Sequence, residues 1–126
     1  MSALIWQCVR NNHAYLKKGH GPKTFSAEPG NMTNIHNNKF SGLSGKNVAG
    51  MTVVTKGGKS KIQLVKKTTS GKAACPNKAF IITGVSKCSR KAANSIAKNL
   101  SVYRPDLVSA ATAKYQKIRR SLRARK

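Results

Sequence analysis

Apolar residues near the end of the chain recur every three or four positions, which is the spacing of an amphipathic helix. The stripe consists of Leu107, Ala111, Tyr115, Ile118 and Leu122. Pro105 and Asp106 come immediately before it. Both suit a first helical turn, where proline is tolerated and the helix dipole favours a carboxylate. The pattern therefore predicts a closing helix that begins near Pro105.

Two further segments show helical spacing. One helix is predicted just before the closing helix, with Ser86 or Ser89 as its cap. Its apolar stripe consists of Ala92, Ala93, Ile96, Ala97 and Leu100. At the other end of the chain, residues 2–11 predict a short helix, in which Trp6 and Arg10 lie away from the apolar stripe. That stripe consists of Leu4, Ile5, Cys8 and Val9.

Strand patterns lie between these helices. The clearest is a hairpin over residues 48–67, where apolar and β-branched residues flank Lys-Gly-Gly-Lys at 56–59. A central Gly-Gly accommodates the positive φ angles that tight hairpin turns need. A shorter hairpin is predicted over residues 15–26, around the turn residues Gly-His-Gly-Pro. Residues 79–83 predict a third strand.

These elements predict an α+β fold: a small antiparallel sheet from two hairpins plus a third strand, with a short N-terminal helix, two C-terminal helices and extended basic loops. A chain of 126 residues suits one domain with a modest core. Residues 29–47 show no period and are rich in Gly and Asn. We expect residues 30–47 to be the most mobile part of the free chain and to fold only on RNA, with Phe40 either anchoring the segment or stacking on a base.

The net charge restricts the possible classes of function more than any short motif does. The chain has 25 Lys and Arg residues against two acids, Glu28 and Asp106, and its formal net charge is +23. Cations in this excess repel one another unless a polyanion lies among them. Nucleic acid is such a polyanion, and it binds Lys and Arg by releasing condensed counterions. The composition therefore predicts a nucleic-acid partner rather than a basic surface kept only for solubility.

The scarcity of acids also excludes several kinds of site. Paired carboxylates for acid–base catalysis and carboxylate sites for Mg²⁺ or Ca²⁺ are not expected. The three cysteines form no CxxC pair, and with the three histidines they match no zinc-site spacing. Neither a nucleophile elbow nor a phosphate-cradling glycine loop is present. We therefore expect no enzyme activity, metal, cofactor or small-molecule substrate.

Targeting signals are also not expected. The apolar stretch at residues 3–9 is too short for the core of a signal peptide and far too short to span a bilayer. The sequence therefore predicts a cytosolic or nuclear protein without a membrane partner.

The candidate contact residues for nucleic acid are basic and spread over hairpins, loops and helices. No zinc finger, basic zipper or RNP box organises them. Such scattered charge favours recognition of folded RNA by shape and phosphate contacts over base readout in a DNA groove. The candidates are Arg10, Lys17, Lys18, Lys56, Lys59, Lys61, Lys66, Lys67, Lys72, Lys87, Arg90, Lys91, Arg104, Lys114, Lys117, Arg119, Arg120, Arg123 and Arg125.

Three short motifs in this order resemble a known family. They are Met1-Ser2 with Trp6 and Val9-Arg10-Asn11, then Phe25-Ser26-Ala27-Glu28-Pro29, then Tyr103-Arg104-Pro105-Asp106-Leu107. In these motifs, and over nearly its whole length, the chain is similar to the eukaryotic large-subunit ribosomal protein twenty-eight family. It departs from the family at residues 30–32, where two Asn and Leu are usual, and between the second hairpin and the third strand.

The resemblance implies one ribosomal RNA-binding domain over residues 1–126 with a basic C-terminal helix. It implies a structural constituent of the large subunit of a eukaryotic cytosolic ribosome, without catalytic activity. The implied partners are the large-subunit ribosomal RNA and neighbouring ribosomal proteins, in the cytoplasm after assembly in the nucleolus. The alternatives are a large-subunit assembly factor that carries the same domain and, less favoured, a small DNA-compacting protein.

Overall fold

The structure, a computed structural model, describes residues 2–69, 75, 78–85 and 88–124. It has the predicted α+β architecture, with a short N-terminal helix and two C-terminal helices. In chain order its elements are α1 Ser2–Val9, β1 Leu16–Lys17, β2 Phe25–Ser26, β3 Ala49–Lys56, β4 Lys59–Lys67, β5 Phe80–Val85, α2 Ser89–Ser101, a 3₁₀ turn at Pro105–Leu107, and α3 Val108–Ala124.

The strands form two antiparallel sheets. β1 and β2 pair with each other, and β3, β4 and β5 form a three-stranded sheet in that order. Gly57 and Gly58 connect β3 to β4 with φ angles of 55° and 74°. Positive φ at both central residues is typical of the tight turns that match the twist of a hairpin, so the prediction from the Gly-Gly pair is confirmed.

The third strand begins one residue later than predicted and extends two residues further. Gly84 and Val85 belong to it because they pair with Gln63 and Ile62 of β4. A glycine weakens a strand on propensity alone, so the sequence pattern stopped before it. Pairing with the central strand decides the outcome.

The core lies between the three-stranded sheet and the two C-terminal helices. Both predicted stripes face this core. Ile96 and Leu100 of α2 and Ala111 of α3 are fully buried, and Tyr115 of α3 is nearly so. The buried cluster consists of Met32, Ala49, Met51, Ile62, Leu64, Val85, Ala92, Ile96, Leu100, Leu107, Ala111 and Tyr115. Burial of these apolar groups is the main stabilising contribution to the fold.

Two predictions about the helix ends and faces need correction. Ser89 is the first residue of α2 and does not cap it; Cys88 holds the cap position and makes no side-chain capping bond. Ser86, the other cap candidate, lies outside the described residues. The apolar stripe of α1 is not buried either, and Leu4 is 68% exposed. On another face of that helix, Trp6 is half-buried, and its ring lies 5.0 Å from that of His36.

The Gly- and Asn-rich segment at residues 29–47 packs closely against β3. A side chain on Gly50 could not be accommodated, because its Cβ would lie 2.6 Å from the backbone of Gly30. Gly30 itself has a φ of 88°, which glycine adopts without strain. Phe40 packs against the core, so it anchors the segment. This is one of the two alternatives predicted for Phe40.

Buried hydrogen bonds hold the same segment together. The side-chain oxygen of Asn31 accepts from the backbone N–H groups of Thr33 and Asn34, and its Nδ2 donates to Glu28 Oε1 and the carbonyl of Ile35. Asn31 and Glu28 are both buried. The structure thus gives a physical reason to expect protection here in place of the mobility that composition suggested.

Candidate nucleic-acid interface

The two acidic side chains are both occupied inside the protein. Glu28 is 4% exposed, and its carboxylate accepts hydrogen bonds from Asn31 Nδ2 at 3.0 Å and Ser41 Oγ at 3.4 Å. Asp106 pairs with Arg104, whose Nε lies 2.8 Å from its Oδ1. This is the one ion pair that the side chains of the described residues form with one another. Neither acid is therefore placed to neutralise the basic groups elsewhere on the surface.

Lysines at the end of the β3–β4 hairpin form the first basic surface. Lys56 pairs with Lys59 and Val54 pairs with Lys61, so alternation along the two strands places these side chains on one face. With Gln63 they line a shallow depression of about 300 Å³. All three lysines are exposed. We call Lys56, Lys59 and Lys61 the hairpin-tip surface.

Arginines on the second half of α3 form another basic surface. Arg119, Arg120 and Arg123 line a depression of about 250 Å³ together with Gln116 and with Ser89 at the start of α2. Arg90 and Lys91 follow Ser89 in the first turn of α2, which contains no acidic residue. The unpaired N–H groups of a helix start add positive potential to such a surface. We call Arg119, Arg120 and Arg123 the α3 surface.

Two of the predicted contact residues donate hydrogen bonds to the end of the Gly- and Asn-rich segment at residues 29–47. Lys67 donates to the carbonyl of Gly45 at 3.4 Å. Arg104 donates through Nη1 to the carbonyl of Asn47 at 2.8 Å, as well as binding Asp106. The hydrogen bond to Asp106 raises the pKa of Arg104 further above its ordinary value, and the same bond lowers the pKa of Asp106. The donors of Arg104 are thus directed at protein acceptors.

Two lysines are similarly engaged on other elements. Lys66 donates to Asn99 Oδ1 at 3.4 Å. Lys114 donates to the carbonyl of Asn31 at 3.3 Å and to Asn34 Oδ1 at 3.0 Å, joining α3 to the Gly- and Asn-rich segment. Burial lowers the pKa of the Lys114 ammonium from its ordinary value of 10.5. For all four of these half-buried residues, RNA contact stays a prediction that competes with a structural role.

The remaining candidates are exposed or lie outside the described residues. Arg10, Lys17, Lys18 and Lys117 are exposed, and Arg10 donates to Gln7 Oε1 at 3.1 Å. The three candidates outside the described residues are Lys72, Lys87 and Arg125. The structure therefore groups three candidates in the hairpin-tip surface and three in the α3 surface. The exposed cations of the first hairpin, Lys17 and Lys18, line neither depression.

Three polar residues that the sequence analysis did not propose as contact residues line the two basic surfaces. They are Gln63 at the hairpin tip, and Gln116 with Ser89 beside the arginines. A signal for Gln63 was present, because it follows Lys59 and Lys61 at the two-residue period of one strand face. No signal of this kind exists for Ser89, since its proximity to α3 depends on how the two helices pack.

Other kinds of site are not indicated in the part of the chain that the structure describes. No three His, Cys, Asp or Glu side chains there are grouped so that they could hold a metal ion. No described helix is both long enough and apolar enough to span a bilayer.

Comparison with known proteins assigns the class to which this fold and its basic surfaces belong. A model of the Ribosomal L28e protein family matches residues 4–121. The chain is therefore a ribosomal structural protein and not an enzyme. It belongs to the ribosomal L28e family, as the three motifs suggested.

Individual relatives agree with this assignment. The chain is 32% identical to the large ribosomal subunit protein eL28 of Dictyostelium discoideum over 124 residues, which cover 98% of this chain and 89% of the relative. It is 34% identical to eL28 of Schizosaccharomyces pombe, with 98% and 93% covered. For eL28 of Caenorhabditis elegans the identity is 33%, with 77% and 72% covered. These relatives support neither the assembly-factor nor the DNA-compaction alternative.

Proposed function

We propose that this chain is a structural constituent of the large subunit of the eukaryotic cytosolic ribosome and binds its ribosomal RNA mainly through phosphate contacts. The relatives are named for the large subunit, which supports the location. The observation that carries the RNA contact is the placement of the acids: Glu28 is buried and Asp106 is paired with Arg104. Apart from Arg104, the exposed cations of the described residues therefore have no side-chain carboxylate within ion-pair distance.

The two basic surfaces suit different phosphate contacts. The hairpin-tip lysines are flexible point charges on one face of a two-stranded ribbon, which can follow a backbone of irregular path. The α3 arginines present planar forks that bind phosphate through two parallel hydrogen bonds. Contacts of both kinds fix orientation without reading sequence. The chain thus recognises the shape of a folded RNA, and neighbouring ribosomal proteins complete its surroundings after assembly in the nucleolus.

Salt dependence tests the electrostatic part of this proposal. We expect the affinity for a large-subunit ribosomal RNA fragment to fall steeply with salt. Replacing the hairpin-tip lysines together (Lys56→Gln, Lys59→Gln and Lys61→Gln) should lower the slope of log K against log salt by about 2 to 3, at slightly under one unit per lost phosphate contact.

A matched control removes the same charge elsewhere. Lys23, Lys46 and Lys98 are exposed lysines outside the two basic surfaces. Their joint replacement by Gln should change the slope by less than about 1. Equal slopes for both triple variants would show that net charge alone matters and that the hairpin-tip surface is not a contact site.

Fractionation tests the location. In cells whose own copy has been replaced by this chain, we expect one copy in each mature large subunit, released by RNase and unaffected by DNase. Recovery only in precursor particles would identify an assembly factor, and release by DNase would identify a DNA-compacting protein. Either result would contradict the proposed function.

A further inference from the structure

β5 is an edge strand whose outward backbone groups have no partner among the described residues. It pairs with β4 on one side only. The N–H of Thr68 donates to the carbonyl of Ala79 at 2.8 Å, and these two residues lie opposite each other when the β4–β5 register is continued. Hydrogen-bonded pairs alternate along an antiparallel ladder, so Ile81, Thr83 and Val85 bond to β4.

The remaining residues of β5 present their backbone to the free edge. These are Phe80, Ile82 and Gly84, whose N–H and C=O groups point away from β4. No described group donates to or accepts from them. Two of the three residues are also well exposed: Ile82 is 60% exposed, and a Cβ placed on Gly84 would meet no atom within 4 Å. The edge is therefore open on the described surface.

This edge lacks the features by which proteins usually prevent unwanted strand pairing. Charged side chains, proline, bulges or a covering segment normally serve that purpose. β5 has the sequence Phe-Ile-Ile-Thr-Gly-Val, without charge or proline. The opposite edge strand, β3, carries Lys56 at one end and is bridged to Asn31 at the other. The chain has 25 basic residues, yet none of them lies in β5 to block pairing at this edge.

We infer that an extended segment of a neighbouring protein pairs with β5 and adds a fourth strand to the sheet. Every second residue of the edge offers one donor and one acceptor, and a polypeptide strand satisfies both at the same regular spacing. Phosphate oxygens only accept, so phosphate contacts alone would leave the carbonyl groups of this edge unpaired. A second copy of this chain would bring another charge of +23, so repulsion opposes self-pairing. The same charge favours a segment with acidic side chains.

The inference rests on the proposed function, because the partner lies in the large subunit. Hydrogen exchange tests the strand pairing directly. In the free chain, the amides of Ile82 and Gly84 should exchange quickly while those of Ile81 and Thr83 are protected. In purified large subunits, Ile82 and Gly84 should exchange roughly tenfold or more slowly. Slow exchange in the free chain, or no slowing in the subunit, would overturn the inference.

A pair of variants at one position separates backbone pairing from side-chain contact. Ile82→Pro removes an N–H that β4 does not use, and proline is tolerated on edge strands. Ile82→Thr keeps the N–H and the β-branched shape. In competition with the unmodified chain, incorporation into subunits should fall roughly threefold to tenfold for Ile82→Pro, as expected for one lost backbone hydrogen bond. It should change less than about twofold for Ile82→Thr.

The thermal unfolding midpoint and the RNA affinity of both free variants should match those of the unmodified chain, which shows that Ile82→Pro still folds. Equal incorporation of the two folded variants would overturn the inference. The fragment and salt conditions are those used for the hairpin-tip variants.

Photocrosslinking identifies the occupant and separates failure of the inference from failure of the proposed function. A photoreactive amino acid is incorporated in place of Ile82 and, in a second sample, in place of Arg120 on the α3 surface. In purified large subunits we expect a protein crosslink from position 82, within a segment bearing acidic residues, and an RNA crosslink from position 120. A crosslink from position 82 to RNA or to a second copy would overturn the inference alone. The absence of the chain from subunits would overturn the proposed function.

Discussion

The hydroxyl of Tyr103 donates a hydrogen bond of 2.7 Å to the backbone carbonyl of Lys67. The same oxygen accepts from the N–H of Val48 at 3.0 Å, at the point where the β3–β4 ladder ends. The next residue, Arg104, donates to the carbonyl of Asn47. The motif that resembles the family near the closing helix thus fastens the α2–α3 connection to the end of the hairpin. Its polar residues have a structural task in this fold.

Tyr103→Phe should reduce the free energy of unfolding by about 1–3 kcal/mol, because it keeps the ring but leaves a part-buried N–H and carbonyl without their partner. Urea unfolding measures the change. Tyr15→Phe is the control, since the side chain of Tyr15 is exposed and we expect a change of less than about 0.5 kcal/mol. Equal effects of the two substitutions would show that the Tyr103 hydroxyl contributes no special stability.

Asn31→Ala should loosen the Gly- and Asn-rich segment, because one buried side chain there satisfies four polar groups and its loss also deprives Glu28 of a donor. We expect a loss of about 2–3 kcal/mol in the free energy of unfolding and faster hydrogen exchange across residues 30–47. Asn12→Ala, at an exposed position, serves as the control. Rapid exchange of residues 30–47 in the unmodified free chain would instead support the mobility that composition suggested.

His36→Ala should release α1 without unfolding the core. No residue of α1 is buried, and His36 contacts the Trp6 ring of the helix. Its Nε2 also donates a 2.8 Å hydrogen bond to the carbonyl of Arg10, the residue that follows the helix. Hydrogen exchange of residues 2–9 should therefore rise while that of α2 and α3 stays unchanged. His20→Ala, in the turn of the first hairpin, should affect neither. Unchanged exchange of α1 would show that other contacts hold it.

The elements of this fold follow from local sequence patterns to a large extent. Gly57 and Gly58 specify a tight turn, and the stripe from Leu107 to Leu122 specifies one buried helix face, since both signals depend on neighbouring residues only. The extension of β5 through Gly84 and the contact of Trp6 with His36 depend on partners that lie far away in sequence. Pattern analysis has no access to those partners.

The candidate interface was less predictable for a related reason. A lysine in the sequence looks the same whether its ammonium points to solvent or to a backbone carbonyl. Lys56 and Lys59 are exposed, whereas Lys114 and Arg104 bind carbonyls contributed by the Gly- and Asn-rich segment. That segment has no periodicity, so its path over the helices could not be inferred. Charge therefore predicted the kind of partner but not which cations remain outward.

Lys114 and Lys117 provide a comparison of two lysines one helical turn apart. Lys114→Met should remove the link to Asn31 and Asn34 and alter stability, whereas Lys117→Met should leave stability unchanged and reduce the salt slope of RNA binding by about 1.

Because the folded state lowers the pKa of Lys114, the unfolded state binds more protons between the folded pKa and 10.5. The unmodified chain should therefore gain stability relative to Lys114→Met as the pH rises through that range.

Urea unfolding at several pH values, together with RNA binding, measures these effects. A larger loss of RNA affinity for Lys114→Met than for Lys117→Met, at equal stability, would place Lys114 in the RNA interface and contradict its structural role.

Asp106 and the α3 surface should separate stability from RNA binding. Asp106 lies in the first turn of the 3₁₀ helix at Pro105–Leu107 and pairs with Arg104, which holds the cap position of that turn. The pair is partly exposed, so Asp106→Ala should reduce the free energy of unfolding by less than about 1 kcal/mol. Its folded pKa lies below the ordinary 3.8, so this contribution is present above that value and lost as the pH falls through the folded pKa.

The opposite result is expected for the α3 surface. Replacing Arg119, Arg120 and Arg123 by Ala preserves helix propensity, because both residue types favour helices, but it removes three candidate phosphate contacts. RNA affinity should fall and its salt slope should decrease by about 2 to 3, while the helical circular dichroism signal and the unfolding midpoint stay close to those of the unmodified chain. The assignment of roles is wrong if Asp106→Ala abolishes RNA binding at unchanged stability, or if the triple substitution unfolds the protein and leaves the affinity of the remaining folded fraction intact.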